Sequence, residues 1–325
     1  MSAADQAFMD RAIALGSAAR GTTAPNPNVG CVIVKDGEVV GEGATAPGGR
    51  PHAEAVALGQ ARENVKGATL YTTLEPCAHE SERGPTCATI IPEAGIRKVV
   101  AAIVDPDTRT AGKGLAMLRE AGVEVVEGVG AEDAEASLEG FLMRIRHGRP
   151  FVTLKLALSI DGKIALPSGE SKWITGEDAR AHVHVVRSQA DMILVGRGTL
   201  VADTPSLDVR LPGLEDRSPR RAVLTGGNGE EGWEILSSPE AIHDLENVND
   251  LMVEGGSGAA TAFLKADLVD RILIYRAPIL IGEGKSSVGY IGLDQIADAH
   301  GRWRAGTPRV LGIDRLEVYE RVREE

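Results

Sequence analysis

Aromatic residues are scarce in this chain: Phe, Trp and Tyr together make up 3% of its 325 residues. Proteins that hold single-stranded nucleic acid stack the bases on aromatic side chains, so the scarcity counts against that class. A surplus of basic charge is also missing. Lys plus Arg number 35 against 47 Asp plus Glu, a formal net charge of −12, whereas a nucleic-acid partner leaves a basic footprint. The three cysteines are too few for a disulfide framework, which fits a reducing compartment. No apolar run reaches the roughly 20 residues of a membrane span. The stretch Met1 to Arg20 is amphipathic and carries Asp5, Asp10 and Arg11, unlike a signal peptide. Internal repeats and low-complexity segments are lacking as well. Together these absences predict a cytoplasmic protein with a small-molecule substrate, with neither nucleic acid nor membrane as partner. A homo-oligomer is expected.

What is present is ordinary globular composition, 43% hydrophobic and 25% charged, over a length that suggests two domains. The first half alternates helices and strands: helix over 5–19, strands over 29–35 and 38–44, helix over 52–63, strand over 68–73, helix over 86–94, strand over 98–104, helix over 114–121 and strand over 123–127. A charged helix over 132–146 follows. This alternation predicts a layered α/β domain. His147-Gly148-Arg149-Pro150 reads as the joint, giving domains of 1–147 and 150–325. The second half predicts strands over 151–158, 192–195, 220–225 and 251–254, with 272–277 and 315–322 completing the sheet. Helices are predicted over 177–189 and 259–266, and a loop through Asp203-Thr204-Pro205.

The chemistry concentrates between His52 and Cys87. His52-Ala53-Glu54, Thr73-Leu74-Glu75-Pro76-Cys77 and Gly84-Pro85-Thr86-Cys87 supply one imidazole and two thiolates, the three-ligand set of a catalytic zinc site with its fourth position open to water. Glu54, two residues past the histidine, can move protons without ligating. This is the His-x-Glu…Pro-Cys…Cys arrangement of zinc deaminases of nucleobase amines, although nine residues separate the two cysteines here. A closed structural zinc site would need a fourth protein ligand, for which His79 and Cys31 are the neighbours in sequence. Cys31 lies between apolar residues and reads as a buried core thiol. Cys87 at a predicted helix start would be favoured as thiolate.

Further stretches identify a family. Asn26-Pro27-Asn28-Val29-Gly30, Pro51-His52-Ala53-Glu54, Thr73-Leu74-Glu75-Pro76-Cys77-Ala78-His79 and Asp105-Pro106 appear in the first half. Lys155-Leu156-Ala157, Ser159-Ile160-Asp161-Gly162-Lys163, Ser171-Lys172-Trp173-Ile174-Thr175, Val201-Ala202-Asp203 and Val253-Glu254-Gly255-Gly256 follow in the second. In this order they resemble the bifunctional deaminase–reductases of riboflavin biosynthesis over essentially the whole chain.

The resemblance implies a cytidine-deaminase-like α/β/α domain followed by a dihydrofolate-reductase-like α/β domain. It implies zinc-dependent hydrolytic removal of an amino group from a diaminopyrimidinone bearing a ribosylamino phosphate. NADPH-dependent reduction of the ribosyl group to a ribityl chain would follow. One Zn2+ would be held by His52, Cys77 and Cys87, with Glu54 as proton shuttle. Asn26, His79 and Arg83 would contact the pyrimidine or its ribose phosphate. Ala157, Trp173, Thr199, Asp203, Gly256, Ser257 and Gly258 would face NADPH. Lys155, Ser171, Arg187, Leu207, Arg210 and Glu254 would face the second substrate, the arginines being suited to its phosphate. The Gly255-Gly256-Ser257-Gly258 run at a strand-to-helix junction can be an anion cradle or an ordinary glycine turn. It lacks the dinucleotide-binding fingerprint.

Two departures from the family stand out. Thr45 occupies a position where the family often has a histidine. Only Gly226–Met252 separates the strand ending at Thr225 from Val253-Glu254, where the family has a longer insertion. A trimmed sheet edge with retained NADPH binding is the expectation. Two other classes remain open on the residues alone. One is a zinc deaminase acting on RNA or DNA, with the second half as a binding module. The other is a zinc-stabilised interaction protein, which leaves Glu54 without a purpose.

Overall fold

A computed structural model describes residues 2–79 and 84–323, so Arg83 lies outside the described residues. The chain divides into two compact units, 1–148 and 149–325. Among the described residues, no helix is long and apolar enough to cross a membrane.

The first unit runs α1 (Ala3–Ala18), β1 (Gly30–Lys35), β2 (Glu38–Ala44), α2 (Ala53–Ala61), β3 (Thr69–Leu74), α3 (Cys87–Glu93), β4 (Lys98–Ile103), α4 (Lys113–Glu120), β5 (Glu124–Glu127), α5 (Ala131–Ser137) and α6 (Glu139–His147). Its five-stranded sheet has the order β2-β1-β3-β4-β5. The first pairings, β1 with β2 and β1 with β3, are antiparallel, and β3-β4-β5 are parallel. Period-two alternation assigns each strand's side chains to two layers. Cys31, Ile33, Val99 and Ala101 join α2, α3 and α4 in one core, while Val32, Val34, Val100 and Ala102 join α1 and α5 in the other.

Glycines set how closely α2 lies on the sheet. A Cβ at Gly41 would sit 2.3 Å from the Ala57 carbonyl, and one at Gly43 would sit 2.7 Å from Val56 Cβ. Alanine on the facing side of α2, with Ala53, Ala57 and Ala61 all buried, completes the close contact. That contact fixes the height of the helix start above the strands.

The single helix expected over 132–146 is two, broken at Leu138. Leu138 is buried in the core, and the Ser137 carbonyl accepts from Asn28 Nδ2 at 3.0 Å. A carbonyl committed to a side chain elsewhere interrupts the helical ladder.

The second unit runs β6 (Phe151–Leu158), β7 (Lys163–Ala165), α7 (Glu177–Arg187), β8 (Met192–Gly196), α8 (Arg197–Asp203), β9 (Arg220–Leu224), β10 (Glu234–Leu236), β11 (Asp250–Glu254), α9 (Ser257–Lys265), β12 (Arg271–Arg276), β13 (Lys285–Ser286), β14 (Trp303–Ala305), β15 (Arg309–Leu311) and β16 (Asp314–Arg321). The main sheet has the order β10-β9-β8-β11-β6-β12-β16-β14, with β15 also on β16. Its strands from β10 through β12 are parallel, and β16 turns antiparallel. Even-numbered residues 152–158 of β6 pack toward α9. The opposite face, with Ile193, Val195, Met252, Leu273 and Tyr275, packs under α7 and α8.

The sheet extends past the two strands expected to complete it. β10, β14 and β15 are three residues each, too short for a periodic signal. The segment 226–252 keeps an edge strand, β10, parallel to β9, and a short 3-10 turn over Pro239–Asp244. Helix α9 starts at Ser257, two residues earlier than expected.

Candidate active sites

In the first unit, His52 is the N-cap residue of α2 and places Glu54 in the helix's first turn. Cys77 lies in the turn after β3, and Cys87 is the first residue of α3, whose N-cap Thr86 accepts from the Thr89 backbone N–H at 3.2 Å. Three separate elements thus converge. His52 Nδ1 lies 3.5 Å from Cys77 Sγ and 3.4 Å from Cys87 Sγ, and the three ligand atoms fall within 4.8 Å of one another.

These separations test the fit for a metal. Zn–N of about 2.0–2.1 Å and Zn–S of about 2.3 Å at tetrahedral angles put N and S about 3.6 Å apart. The cluster is already near that size, and its donors are the soft thiolate and imidazole set zinc takes. The residues fit zinc. Among the described residues neither His79 nor Cys31 belongs to the cluster, which consists of three ligands. Cys31 is a buried strand residue.

The α3 start also reaches the neighbouring thiol. The Cys87 backbone N–H donates to Cys77 Sγ at 3.3 Å. The hydrogen bond from the Cys87 thiol is the main cause that holds Cys77 down at about 4 despite burial, with the His52 bond and this backbone bond adding to it. Cys87 is pushed up by its bond to Cys77 and by burial. The first N–H of the helix is thus spent on the neighbouring sulfur, while the next, from Ala88, donates to the Cys77 carbonyl. A bound metal requires both thiols deprotonated and expels the remaining proton.

Glu54 is 3% exposed. Burial raises its carboxyl, with His52 opposing, and the group is hydrogen-bonded with Cys87. It therefore stands at the cluster as a carboxyl that keeps its proton to higher pH than an exposed one. Asn26 is fixed by Nδ2 donating to the Thr23 and Gly48 carbonyls, and His79 Nδ1 lies 3.4 Å from Thr110 Oγ1. Thr45 is buried, with Oγ1 accepting from the Val29 N–H at 3.0 Å. It closes the end of β1 and takes no part in the cluster.

In the second unit, Lys155 and Glu254 are directly paired in register across β6 and β11. Lys155 Nζ lies 3.2 Å from Glu254 Oε1, and Arg187 from α7 binds both Glu254 oxygens at 2.9 Å. Arg187 also donates to the Asp208 carbonyl at 3.0 Å. Burial would raise the Glu254 carboxyl, but Lys155 and Arg187 hold it at about 2. Arg187 thus has its charge neutralised from within. Arg210 is exposed, 3.3 Å from Asp208 Oδ1.

Leu207, expected to face substrate, is 4% exposed and packs in the core beneath α7 and α8. Its positive φ of 56° turns the chain there and directs the side chain inward. Asp203 is exposed at the end of α8, a helix that directly precedes the expected loop. Thr199, in the same helix, accepts from the Gly256 N–H at 3.0 Å, tying α8 to the α9 start. Ser257 opens α9 and Gly258 is exposed on it. Ala157 is half-buried two residues along β6 from Lys155. Ser171 is half-buried, and Trp173 is 68% exposed with the Arg180 guanidinium 4.7 Å from its ring centroid.

Comparison with known proteins identifies the family. Residues 2–103 match the family described as cytidine and deoxycytidylate deaminase zinc-binding region. Residues 150–230 and 236–310 match the RibD C-terminal domain. The riboflavin biosynthesis protein RibD of Haemophilus influenzae is 41% identical over 360 aligned positions, covering 96% of each chain. This chain belongs to the RibD family. The Escherichia coli RibD is 39% identical, covering 91% of this chain and 94% of that one. Among solved structures, a diaminohydroxyphosphoribosylaminopyrimidine deaminase/5-amino-6-(5-phosphoribosylamino)uracil reductase from Thermotoga maritima superposes with a TM-score of 0.88 at 32% identity, covering 98% and 99% of the two chains. An Acinetobacter baumannii RibD gives 0.87 at 34%. The chain is a bifunctional deaminase and reductase of riboflavin biosynthesis. Its deaminase domain carries the zinc-type His/Cys/Cys cluster, and a RibD-type reductase domain implies NADPH.

Motif reading gave Glu75 no role of its own. Its carboxylate accepts from the backbone N–H groups of Asp105, Gly112, Gly114 and Leu115. Its place two residues before Cys77 was the available signal.

Proposed function

We propose that the first unit removes the ring amino group of a diaminopyrimidinone bearing a ribosylamino phosphate, and that the second reduces the ribosyl group of the product to ribityl with NADPH. The observation that carries the first step is the convergence of His52, Cys77 and Cys87 with the buried Glu54 carboxyl. The Thermotoga maritima neighbour is named for a deaminase and a reductase of this kind. His52, Cys77 and Cys87 would hold zinc, which when bound would lower the pKa of a water toward neutrality. Glu54 takes the proton from the attacking water and delivers it to the leaving amine. Its burial suits it to that exchange, since a buried carboxyl holds a proton at higher pH than an exposed one. Asn26 and His79 orient the substrate.

In the second unit, Lys155 and Glu254 face the reacting ribosyl group. Arg187 holds Glu254 in place, and the exposed Arg210 meets the phosphate. The α9 start, with Gly256, Ser257 and Gly258, together with Thr199, Asp203, Ala157 and Trp173, receives NADPH. The segment 226–252 retains the edge strand β10 beside β9. The acidic charge and low aromatic content favour this small substrate over RNA or DNA.

A coupled assay tests the reading. Purified protein is supplied with the pyrimidine phosphate, ammonia and NADPH oxidation are followed separately, and NADPH binding is titrated by calorimetry. Ammonia release followed by NADPH oxidation is expected. Absence of NADPH binding at millimolar cofactor refutes the reductase half. Absence of ammonia release from zinc-loaded protein refutes the deaminase half.

A further inference from the structure

We propose that Glu75 is a positioning residue of the deaminase site: its carboxylate folds the 105–115 segment against the metal turn and thereby holds Thr110 against His79. The inference rests on the reading of His79 as a substrate contact.

Glu75 links β3 to Pro76-Cys77. Its own N–H donates to the Ile103 carbonyl at 2.9 Å, so the backbone is held by β4. Its carboxylate is buried, with Oε2 accepting from Asp105 N at 3.1 Å and Gly112 N at 2.9 Å. Oε1 accepts from Gly114 N at 2.8 Å and Leu115 N at 3.2 Å. A carboxylate offers about four lone-pair sites, and all are used on backbone donors. Glu75 is therefore a clamp and not an acid, base or ligand.

All four donors belong to one segment, the stretch after β4 that enters α4. Glycine at 114 makes the close approach possible, because a Cβ there would sit 2.0 Å from the Pro76 carbonyl oxygen. Between the clamped ends the segment turns through Thr110, whose N–H donates to the Asp107 carbonyl and whose carbonyl accepts from Lys113 N, both at 2.8 Å. Thr110 is fully buried, and its Oγ1 meets His79 Nδ1 at 3.4 Å. Engaging Nδ1 leaves Nε2 for a substrate group. The chain of contacts runs from Glu75, two residues before one metal ligand, to the imidazole two residues after it.

The test compares Glu75→Gln, Glu75→Asp, Thr110→Val and His79→Ala. Zinc content, kcat and KM for ammonia release are measured, together with NADPH-dependent reduction of the deaminated substrate. Glu75→Gln turns one acceptor into a donor facing N–H groups. It and Thr110→Val are expected to keep one zinc and the reductase activity. Each should raise KM about tenfold, the scale of one disrupted polar contact, with kcat changed by about threefold or less. Each, combined with His79→Ala, should be no worse than the stronger single variant. Glu75→Asp, which keeps the charge but is shorter, should fall between wild type and Glu75→Gln.

Unchanged KM in Thr110→Val, or additive effects with His79→Ala, overturns the proposal. So does zinc loss from Glu75→Gln, which would make the metal turn itself the clamped element. If Glu75→Gln does not fold, Glu75→Asp and Thr110→Val carry the test. An unchanged KM in His79→Ala alone overturns the reading of His79, a different failure.

Discussion

Replacing Glu254 by glutamine leaves Lys155 and Arg187 facing each other in the interior without their shared counter-charge. The side chains of all three are at most 14% exposed, so solvent screens the pair of cations poorly. Glu254 is held at about 2 against an ordinary 4.5. That gap corresponds to about 3 kcal/mol of stabilisation at neutral pH, at the lower end of the roughly 3–5 kcal/mol lost when one partner of a buried pair is removed. The sign follows from the depressed carboxyl. The contribution is complete above pH about 4.5 and fades as the pH falls toward 2. The three tryptophans, Trp173, Trp233 and Trp303, all lie in the second unit, so their fluorescence reports its unfolding. With a urea dependence of about 2 kcal/mol per molar, Glu254→Gln should lower the fluorescence midpoint by about 1.5 M at pH 7. At pH 3 the difference between variant and wild type should shrink. Combining Glu254→Gln with Lys155→Met should recover part of the loss, because one uncompensated cation is removed. A midpoint shift below about 0.5 M at pH 7, or one independent of pH, refutes the account of the triad.

Glu54→Gln should retain zinc, measured by elemental analysis, while ammonia release falls about 10²–10⁴-fold; loss of the metal would show that Glu54 is a ligand. Cys87→Ala should lose zinc and deamination yet still oxidise NADPH on the deaminated substrate, as expected of two compact units with separate cores. Asp105 is pushed up by burial to about 6, from an ordinary 3.8. A raised carboxyl costs stability above its folded value, and that cost disappears as the pH falls below 3.8. Asp105→Asn should therefore stabilise the first unit by about 1–3 kcal/mol at pH 7.5 and by almost nothing at pH 3.5. The transition seen by far-ultraviolet circular dichroism, but not by tryptophan fluorescence, measures it.

The sequence alone singled out the His52, Cys77 and Cys87 set that the fold of the first unit brings together. Ligand type is a property of the side chain, and His52, Glu54, Cys77 and Cys87 lie in short motifs whose spacing places them at helix starts and one strand end. It also determined the longer strands and helices, since burial imposes periods of two and 3.6 residues on the apolar pattern. Tertiary structure decided what depends on contacts between distant segments. The helix break at Leu138 follows from Asn28, more than a hundred residues earlier. The first N–H of α3 is spent on the sulfur of Cys77, which the fold brings beside it. Leu207 looks like a loop residue in sequence, and a left-handed backbone turns it into the core. Arg187 and Glu254 read as two separate substrate contacts until packing α7 over β11 joined them with Lys155. A charge in the sequence has no stated partner; burial, which removes water as the competing partner, forces each charge to find one within the fold.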